Sequence, residues 1–382
     1  MQPIKVLQFS KFYPPAVGGI EQVVYDIVQG CSKYPHIHND VLCFNHDLGQ
    51  PDHEITVANL RIMRMHTAKI VASTPLSFNI FKRFLKLRDE YDLVHFHVPN
   101  PIATFASFFV KKNKYIVHWH SDIVKQKKLL CLFKPFQNIM LRRAARIIVT
   151  SDKYGRESQQ LKDYSEKLIT IPIGISPIQK TINQELFQAL KKEFPFKKIV
   201  FSLGRLAYYK GFEYLIKSAR YLNDDCVILI GGAGELKDDL QALIQKYNLH
   251  DKVRLLGRID DVDLSTYYIF SDVFCMPSIE KSEAFGVVQL EAMLYSLPIV
   301  STKIPGSGVD WVNADGVSGI TVEPKNEHAI AEAINKLLSD DSLRHSLGKN
   351  AHNRLLELFT VDRMSSQLSE LYRHLILTQK AN

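Results

Sequence analysis

Glu283 and Glu291, at the two ends of Glu283-Ala-Phe-Gly-Val-Val-Gln-Leu-Glu291, are the residues whose type and spacing say most about chemistry. The stretch follows the strand-like Val273-Phe-Cys-Met-Pro-Ser278 and reads as the opening of a helix. On a helix, residues eight apart lie within about 80° of each other and roughly 12 Å apart along the axis. Glu283 is therefore expected at the helix mouth, with Glu291 two turns deeper on the same side. The amides of Phe285, Gly286 and Val287 would then be open to an anion. Such a set suits a phosphorylated, hydroxyl-rich ligand, with amides for phosphate and one carboxylate for each end of a sugar–ribose span. An isolated pair at this spacing is more simply a capped amphipathic helix, so the neighbouring motifs decide.

Ser202-Leu-Gly204-Arg205-Leu-Ala-Tyr-Tyr-Lys210-Gly211 follows another strand-like run. An Arg and a Lys five residues apart at a helix start form an anion clamp, one bidentate and one a point charge. Gly18 and Gly19 open the first helix, where a phosphate can approach the backbone closely; a plain turn explains them equally well. Gly231-Gly-Ala-Gly234 is an incomplete dinucleotide fingerprint and argues weakly for NAD. Asp261-Val-Asp263 matches a metal motif by letter, but it begins a helix, where acids serve as caps and dipole partners. No metal or cofactor is expected.

These motifs need a scaffold. At 382 residues the chain is long enough for two domains, and its 46% hydrophobic and 23% charged content is that of a soluble globular protein. No apolar run approaches the ~18 residues that span a bilayer, and no signal-like segment precedes the strand Ile4–Phe9. The five cysteines lack metal spacing, which fits a reducing cytoplasm. Short β-branched runs alternate with helical patterns: Ile20, Val23, Val24, Ile27, Val28 and Cys31 fall at helical spacing. Strands are expected at 4–9, 40–44, 60–65, 93–97, 115–120, 146–151 and 168–173. A second set follows at 198–204, 227–232, 253–257, 273–278, 298–302 and 319–323. Alternation of this kind gives α/β domains with parallel sheets covered on both faces. The expected architecture is two Rossmann-like domains facing across a cleft, 1–177 and 178–360, with ligands at the C-terminal strand ends.

The net charge of +8 is unevenly distributed. Lys82, Arg83, Lys86 and Arg88 interleave with Phe81, Phe84 and Leu85. A second segment runs through Lys125, Lys127, Lys128, Lys134, Phe136, Arg142, Arg143 and Arg146. Basic residues among Leu and Phe suit an anionic membrane surface, although two solvated helix faces would look the same. Nothing resembles a nucleic-acid-binding motif.

Taken in order, Gly18-Gly19, Gly204-Arg205…Lys210-Gly211, Gly231-Gly-x-Gly, Pro277-Ser278 and Glu283-x7-Glu291 resemble the retaining GT-B glycosyltransferases of family four. The resemblance spans nearly the whole chain. It implies a GT-B fold closing over a nucleotide-sugar, with a last helix, 361–378, crossing back to the N-terminal domain. Arg205 and Lys210 would hold the diphosphate, together with the amides of Gly18 and Gly19. Glu291 would accept from the ribose hydroxyls. Glu283 would contact the transferred sugar, positioned with the amides of Ala284–Val287, and Arg258 and Ile259 would line the base pocket. His120 would sit near the anomeric centre, with His97 and Asn100 on the acceptor side. His118 is assigned to the opposite face of its strand and read as structural.

The chain departs from the family at Pro172-Ile-Gly-Ile-Ser176, where Pro-Asn-Gly-x-Asp is common, and at Pro305-Gly306-Ser-Gly308-Val-Asp310 in place of Pro-Gly-Gly and Glu. His118-Trp-His-Ser-Asp-Ile-Val-Lys-Gln-Lys127 looks like bacterial members that build surface polysaccharides such as the lipopolysaccharide O-antigen. Several of those are mannosyltransferases. The resemblance therefore implies GDP-mannose as the first donor, with UDP-hexoses or UDP-N-acetylhexosamines behind it, a lipid-linked glycan as acceptor, and a cytoplasmic enzyme peripheral to the inner face of the membrane. A GT-B nucleotide-sugar epimerase and a non-catalytic nucleotide-sugar-binding subunit remain as alternatives.

Overall fold

The structure, a computed structural model, describes residues 3–71, 74–124, 127–177 and 181–381. The chain divides into two compact units, Met1–Ser176 with Thr360–Asn382, and Pro177–Phe359.

The first unit is an eight-stranded sheet. Its order is Leu168–Thr170, Ile147–Val149, Tyr115–Trp119, Leu93–Val98, Ile4–Phe9, Ile37–Phe44, Leu60–Met65, His53–Val57. All neighbours run parallel except the last pair, which is antiparallel. The central strands are buried because helices cover both faces, and polar members such as Gln8, His95, His97 and His118 are enclosed with the apolar ones. Helix Gly19–Cys31 buries Val23, Val24, Ile27, Val28 and Cys31. Val24 and Val28 pack with Val41, Cys43 and Ile62 of the sheet. Each such side chain contributes about 1.5–3 kcal/mol on burial.

The C-terminal helix Val361–Ala381 lies against the helix Gly19–Cys31 of the same unit. Gly30 makes that contact close: a Cβ there would stand 2.7 Å from the Val361 side chain and 2.8 Å from that of Ser365. His36 Nε2 and Ser369 Oγ, 2.9 Å apart, and the Lys33–Asp362 ion pair tie the same helix down.

The second unit is a six-stranded, all-parallel sheet ordered Val253–Gly257, Cys226–Gly231, Lys198–Leu203, Val273–Met276, Ile299–Thr302, Gly319–Val322. Its core runs through Val200, Ile228, Ile230, Val273, Cys275 and Val300, with Leu215, Ile216, Ile330 and Ile334 from the covering helices. In both sheets the strand order reverses beside the first strand of the unit. In open α/β sheets ligands bind beyond the strand ends at that reversal. The reversal lies between Ile4–Phe9 and Leu93–Val98 in one unit, and between Lys198–Leu203 and Val273–Met276 in the other.

Candidate active site

In the second unit the reversal brings two loops together. The first carries Arg205 and Lys210, and the second carries Ser278 and Glu283. Gly211 lets their backbones touch: its φ is +66°, and a Cβ there would stand 2.2 Å from the Pro277 carbonyl oxygen. Ile279 N–H donates to the Tyr209 carbonyl at 2.8 Å, fixing the same approach.

Lys210 Nζ lies 2.6 Å from Glu283 Oε2, and Ser278 Oγ donates to that oxygen at 3.1 Å. The two charged side chains are only 10% and 12% exposed. Burial alone would push the Lys210 ammonium down, but the Glu283 carboxylate and Tyr209 outweigh it, and the net shift is upward. Lys210 is thus a fixed cation. Arg205 is 61% exposed, 3.8 Å from Glu235, and close enough for its charge to act on Lys210. Two cations beside a strand-order reversal can hold a diphosphate.

The spacing of Glu283 and Glu291 is as read, but the element carrying it is not. The helix is Val288–Leu294, so Glu283 stands in an irregular loop and Glu291 in the first helical turn. Gly286 prevents an earlier start: its φ is +77°, and a Cβ there would meet Met276 and Gln289 at 2.8 Å. Ala284 and Phe285 are buried, and Val287 precedes the helix. The two carboxylates therefore do not share one helical face.

Glu291 Oε2 accepts from Tyr268 Oη at 2.8 Å. Tyr268 is itself locked, stacked on Tyr295 at 5.4 Å and edge-on to Phe201 at 5.1 Å. Burial, then the neighbouring carboxylate, holds its phenol protonated, well above the ordinary range. Ile259 packs on Gly231, and Arg258 is exposed beyond the strand Val253–Gly257. Asp261 and Asp263 lie in the first turn of helix Asp261–Phe270, where Asp263 accepts from Asn183 Nδ2 at 2.7 Å.

In the first unit, Gly18 caps helix Gly19–Cys31, and the Glu21 carboxylate lies over Gly18 where an anion was expected. Asn100 is a cap: its Oδ1 accepts from the amides of Ile102 and Ala103 at 3.2 and 3.3 Å. His95, His97, His118 and His120 form one stack. Centroids of His118 and His120 are 4.2 Å apart, and those of His97 and His120 are 5.3 Å apart. This overturns the assignment of His118 to the opposite face. Alternation has period two, so residues 118 and 120 share a face, as do 95 and 97.

His95, His97 and His118 hold nitrogens within 4.8 Å of one another. Their ring planes are 7°, 22° and 28° from parallel, however, so their lone pairs run side by side rather than converging as a metal requires. Burial drives all four imidazoles downward, His120 to about 3.

This stack makes acid stability testable. Unfolded histidines titrate near 6.5, so below that pH the unfolded chain binds more protons than the folded one, and stability falls as pH drops. Each buried histidine steepens that fall by up to about 1.4 kcal/mol per pH unit. The urea midpoint of the first unit is expected to decline between pH 7.5 and 5.5. A flat midpoint over that range would contradict a neutral stack.

Residues 17–178 match the family described as Glycosyltransferase Family 4, and residues 183–354 match Glycosyl transferases group 1. An O-antigen chain mannosyltransferase of Escherichia coli is 30% identical over 96% of this chain and 97% of its own length. The chain belongs to the group 1/family 4 GT-B glycosyltransferases. A D-rhamnosyltransferase of Pseudomonas aeruginosa is 33% identical over 94% of the chain and 92% of its own. Among solved structures, a sucrose-phosphate synthase from Thermosynechococcus elongatus superposes with a TM-score of 0.80 at 23% identity, covering 98% of this chain and 100% of that one. The Anabaena protein HepE, solved with UDP and glucose, gives 0.75 at 19% identity, covering 97% and 100%. As a glycosyltransferase the protein takes a nucleotide-sugar donor and a glycan acceptor.

Two features of this glycosyltransferase were missed in the sequence: Tyr268 fixes Glu291, and Gln8 with Tyr372 anchors the histidine stack. Ser278 was picked out with Pro277 as a motif, but not as the partner of Glu283. The two-residue histidine spacing was a signal for the stack.

Proposed function

We propose that this glycosyltransferase is a retaining enzyme that moves mannose from GDP-mannose to a lipid-linked glycan during assembly of a bacterial surface polysaccharide. The observation that carries the sugar is the pair of relatives at 30% and 33% identity, named for mannose and D-rhamnose transfer. D-Rhamnose is 6-deoxymannose, so both relatives handle the manno configuration.

Transfer breaks the bond from the anomeric carbon to the diphosphate oxygen, and negative charge grows on the leaving group. Arg205 and Lys210 stabilise that charge, and preorganised cations do so best in a dry site. The acceptor hydroxyl forms the new bond on the same face and passes its proton to the departing phosphate. Glu283 orients the sugar, Glu291 accepts from the ribose hydroxyls, and the amides of Ala284–Val287, with Arg258 and Ile259, complete the donor contacts of the second unit; Gly18 and Gly19, whose helix start the Glu21 carboxylate already faces, take no part in them. With two cations already in place, the reaction needs no metal.

The test is a donor screen with purified protein and a synthetic lipid-linked glycan, offering GDP-mannose, GDP-D-rhamnose, UDP-glucose and UDP-N-acetylglucosamine. Acceptor-dependent release of GDP from GDP-mannose above the others is the expected result. Preference for a UDP-sugar overturns the donor, and donor interconversion without acceptor favours an epimerase.

No helix among the described residues is long and apolar enough to cross a membrane. We place the enzyme at the cytoplasmic face of the membrane through an exposed patch on the first unit. Phe78, Phe105, Leu132, Phe136 and Ile139 are exposed on adjoining helices and Phe109 in the turn after one of them, with Phe105 5.2 Å from Phe136 and Phe81 5.2 Å from Phe109. Lys82, Lys86, Lys134 and Arg142 are exposed on the same helices, which suits an anionic lipid surface. Lys125 and the side chains of Lys127 and Lys128, expected in this segment, lie outside the described residues. Leu132→Ser with Phe136→Ser is expected to weaken flotation with vesicles containing anionic lipid about tenfold or more, at about 25 cal/mol per Å² of apolar surface withdrawn. Unchanged flotation removes the patch from the account.

A further inference from the structure

The stack in the first unit has a direction. Gln8 Nε2 donates to Asn39 Oδ1 at 2.9 Å and to Tyr372 Oη at 3.2 Å. Tyr372 in turn lies 2.8 Å from His95 Nδ1. The amide oxygen of Gln8 therefore faces His97 Nε2, at 2.9 Å. An amide oxygen only accepts, so His97 Nε2 carries the hydrogen. His97 is buried and neutral, which leaves its Nδ1 with a lone pair. That lone pair lies 3.0 Å from His120 Nε2, which must then be the donor. His120 is neutral too, and its Nδ1 keeps a free lone pair. At 6% exposure His120 is the outermost imidazole of the stack. The backbone places it just past the strand Tyr115–Trp119, where its N–H donates to the Val98 carbonyl at 3.0 Å.

We propose that Gln8, acting through His97, fixes His120 as the Nε2–H tautomer, so that its Nδ1 accepts a hydrogen bond from a substrate hydroxyl. Gln8, His97 and Tyr372 are positioning residues; His120 alone touches substrate. Reversing the Gln8 amide would reverse every bond in the chain and turn His120 into a donor, suited to a phosphate oxygen or a carbonyl. The orientation thus decides which substrate atom His120 can serve. The inference rests on reading the C-terminal ends of these strands as a substrate surface.

The test is a two-bond proton–nitrogen correlation spectrum of the full chain, labelled with nitrogen-15 in its histidine rings, near pH 7.5. The His120 signals are assigned by their loss in His120→Asn. The expected result is a pyridine-like Nδ1 and a pyrrole-like Nε2 on His120; a pyrrole-like Nδ1 overturns the proposal, and the only variant this readout needs is the one used for assignment. Gln8→Met, checked by its melting curve, should mix the two tautomers and lower kcat/KM by about 3–10-fold, the value of one hydrogen bond. His120→Asn, which can offer an oxygen near the place of Nδ1, should retain more kcat/KM than His120→Gln. Should wild-type His120 show the expected tautomer while both His120 variants keep full kcat/KM, the substrate contact is overturned and donor binding at Arg205 and Lys210 is untouched.

Discussion

Lys210→Met is expected to lower turnover by roughly 10²–10³-fold, the effect of removing one preorganised group that stabilises transition-state charge. It should also cost stability. Lys210 Nζ is 2.6 Å from Glu283 Oε2, and removing the cation leaves a carboxylate that is 12% exposed and held only by Ser278 among the described contacts. Breaking a buried pair from one side typically costs about 3–5 kcal/mol. Adding Glu283→Gln removes the stranded charge, so the double variant should regain most of its urea midpoint while turnover stays low. That separation is the informative part. If turnover recovers together with stability, Lys210 is a structural partner of Glu283 and not a binder of the leaving diphosphate. Acceptor-dependent kcat and urea unfolding, measured on the same three preparations, decide it.

Glu291→Ala is expected to raise the dissociation constant for GDP by roughly 10²–10³-fold. The figure follows from two hydrogen bonds between ribose hydroxyls and a charged acceptor, at about 1.5–3 kcal/mol each, taken at the lower end. Tyr268→Phe should have a far smaller effect, about 3–10-fold, because the ring keeps its stacking on Tyr295 and only the hydrogen bond to Glu291 is lost. Titration calorimetry with GDP measures both. Equal effects of the two substitutions would mean that Tyr268 holds the pocket's shape rather than the carboxylate. An unchanged affinity in Glu291→Ala would remove the ribose contact altogether.

The parts of this protein that were legible in its sequence are those set by periodicity. Short strands rich in β-branched residues, alternating with helical stripes such as that of Gly19–Cys31, identify parallel sheets whose central strands are covered on both faces. The strand His53–Val57 and the pair Lys69–Val71 and Thr74–Leu76 escaped the same reading. The first of these is exposed along its whole length, so burial leaves no apolar pattern on it.

Spacing located Glu283 and Glu291 but not their conformation, since a single positive φ at Gly286 separates the loop from the helix. The histidines were legible as types, yet the face of His118 was assigned with the wrong parity; counting by twos places it beside His120. Contacts such as Tyr268 with Glu291, 23 residues apart, and Gln8 with Tyr372, 364 apart, follow no local rule. They exist only once the sheets and the C-terminal helix have packed.

The most direct test of the central claim is to follow the reaction of GDP-α-mannose with a synthetic lipid-linked acceptor by proton NMR, reading the anomeric signals of donor and product. The account predicts an α-linked mannosyl product formed mole for mole with GDP, and no change in the donor when the acceptor is left out. A β-linked product would contradict retention, and conversion of the donor without acceptor would contradict glycosyl transfer itself.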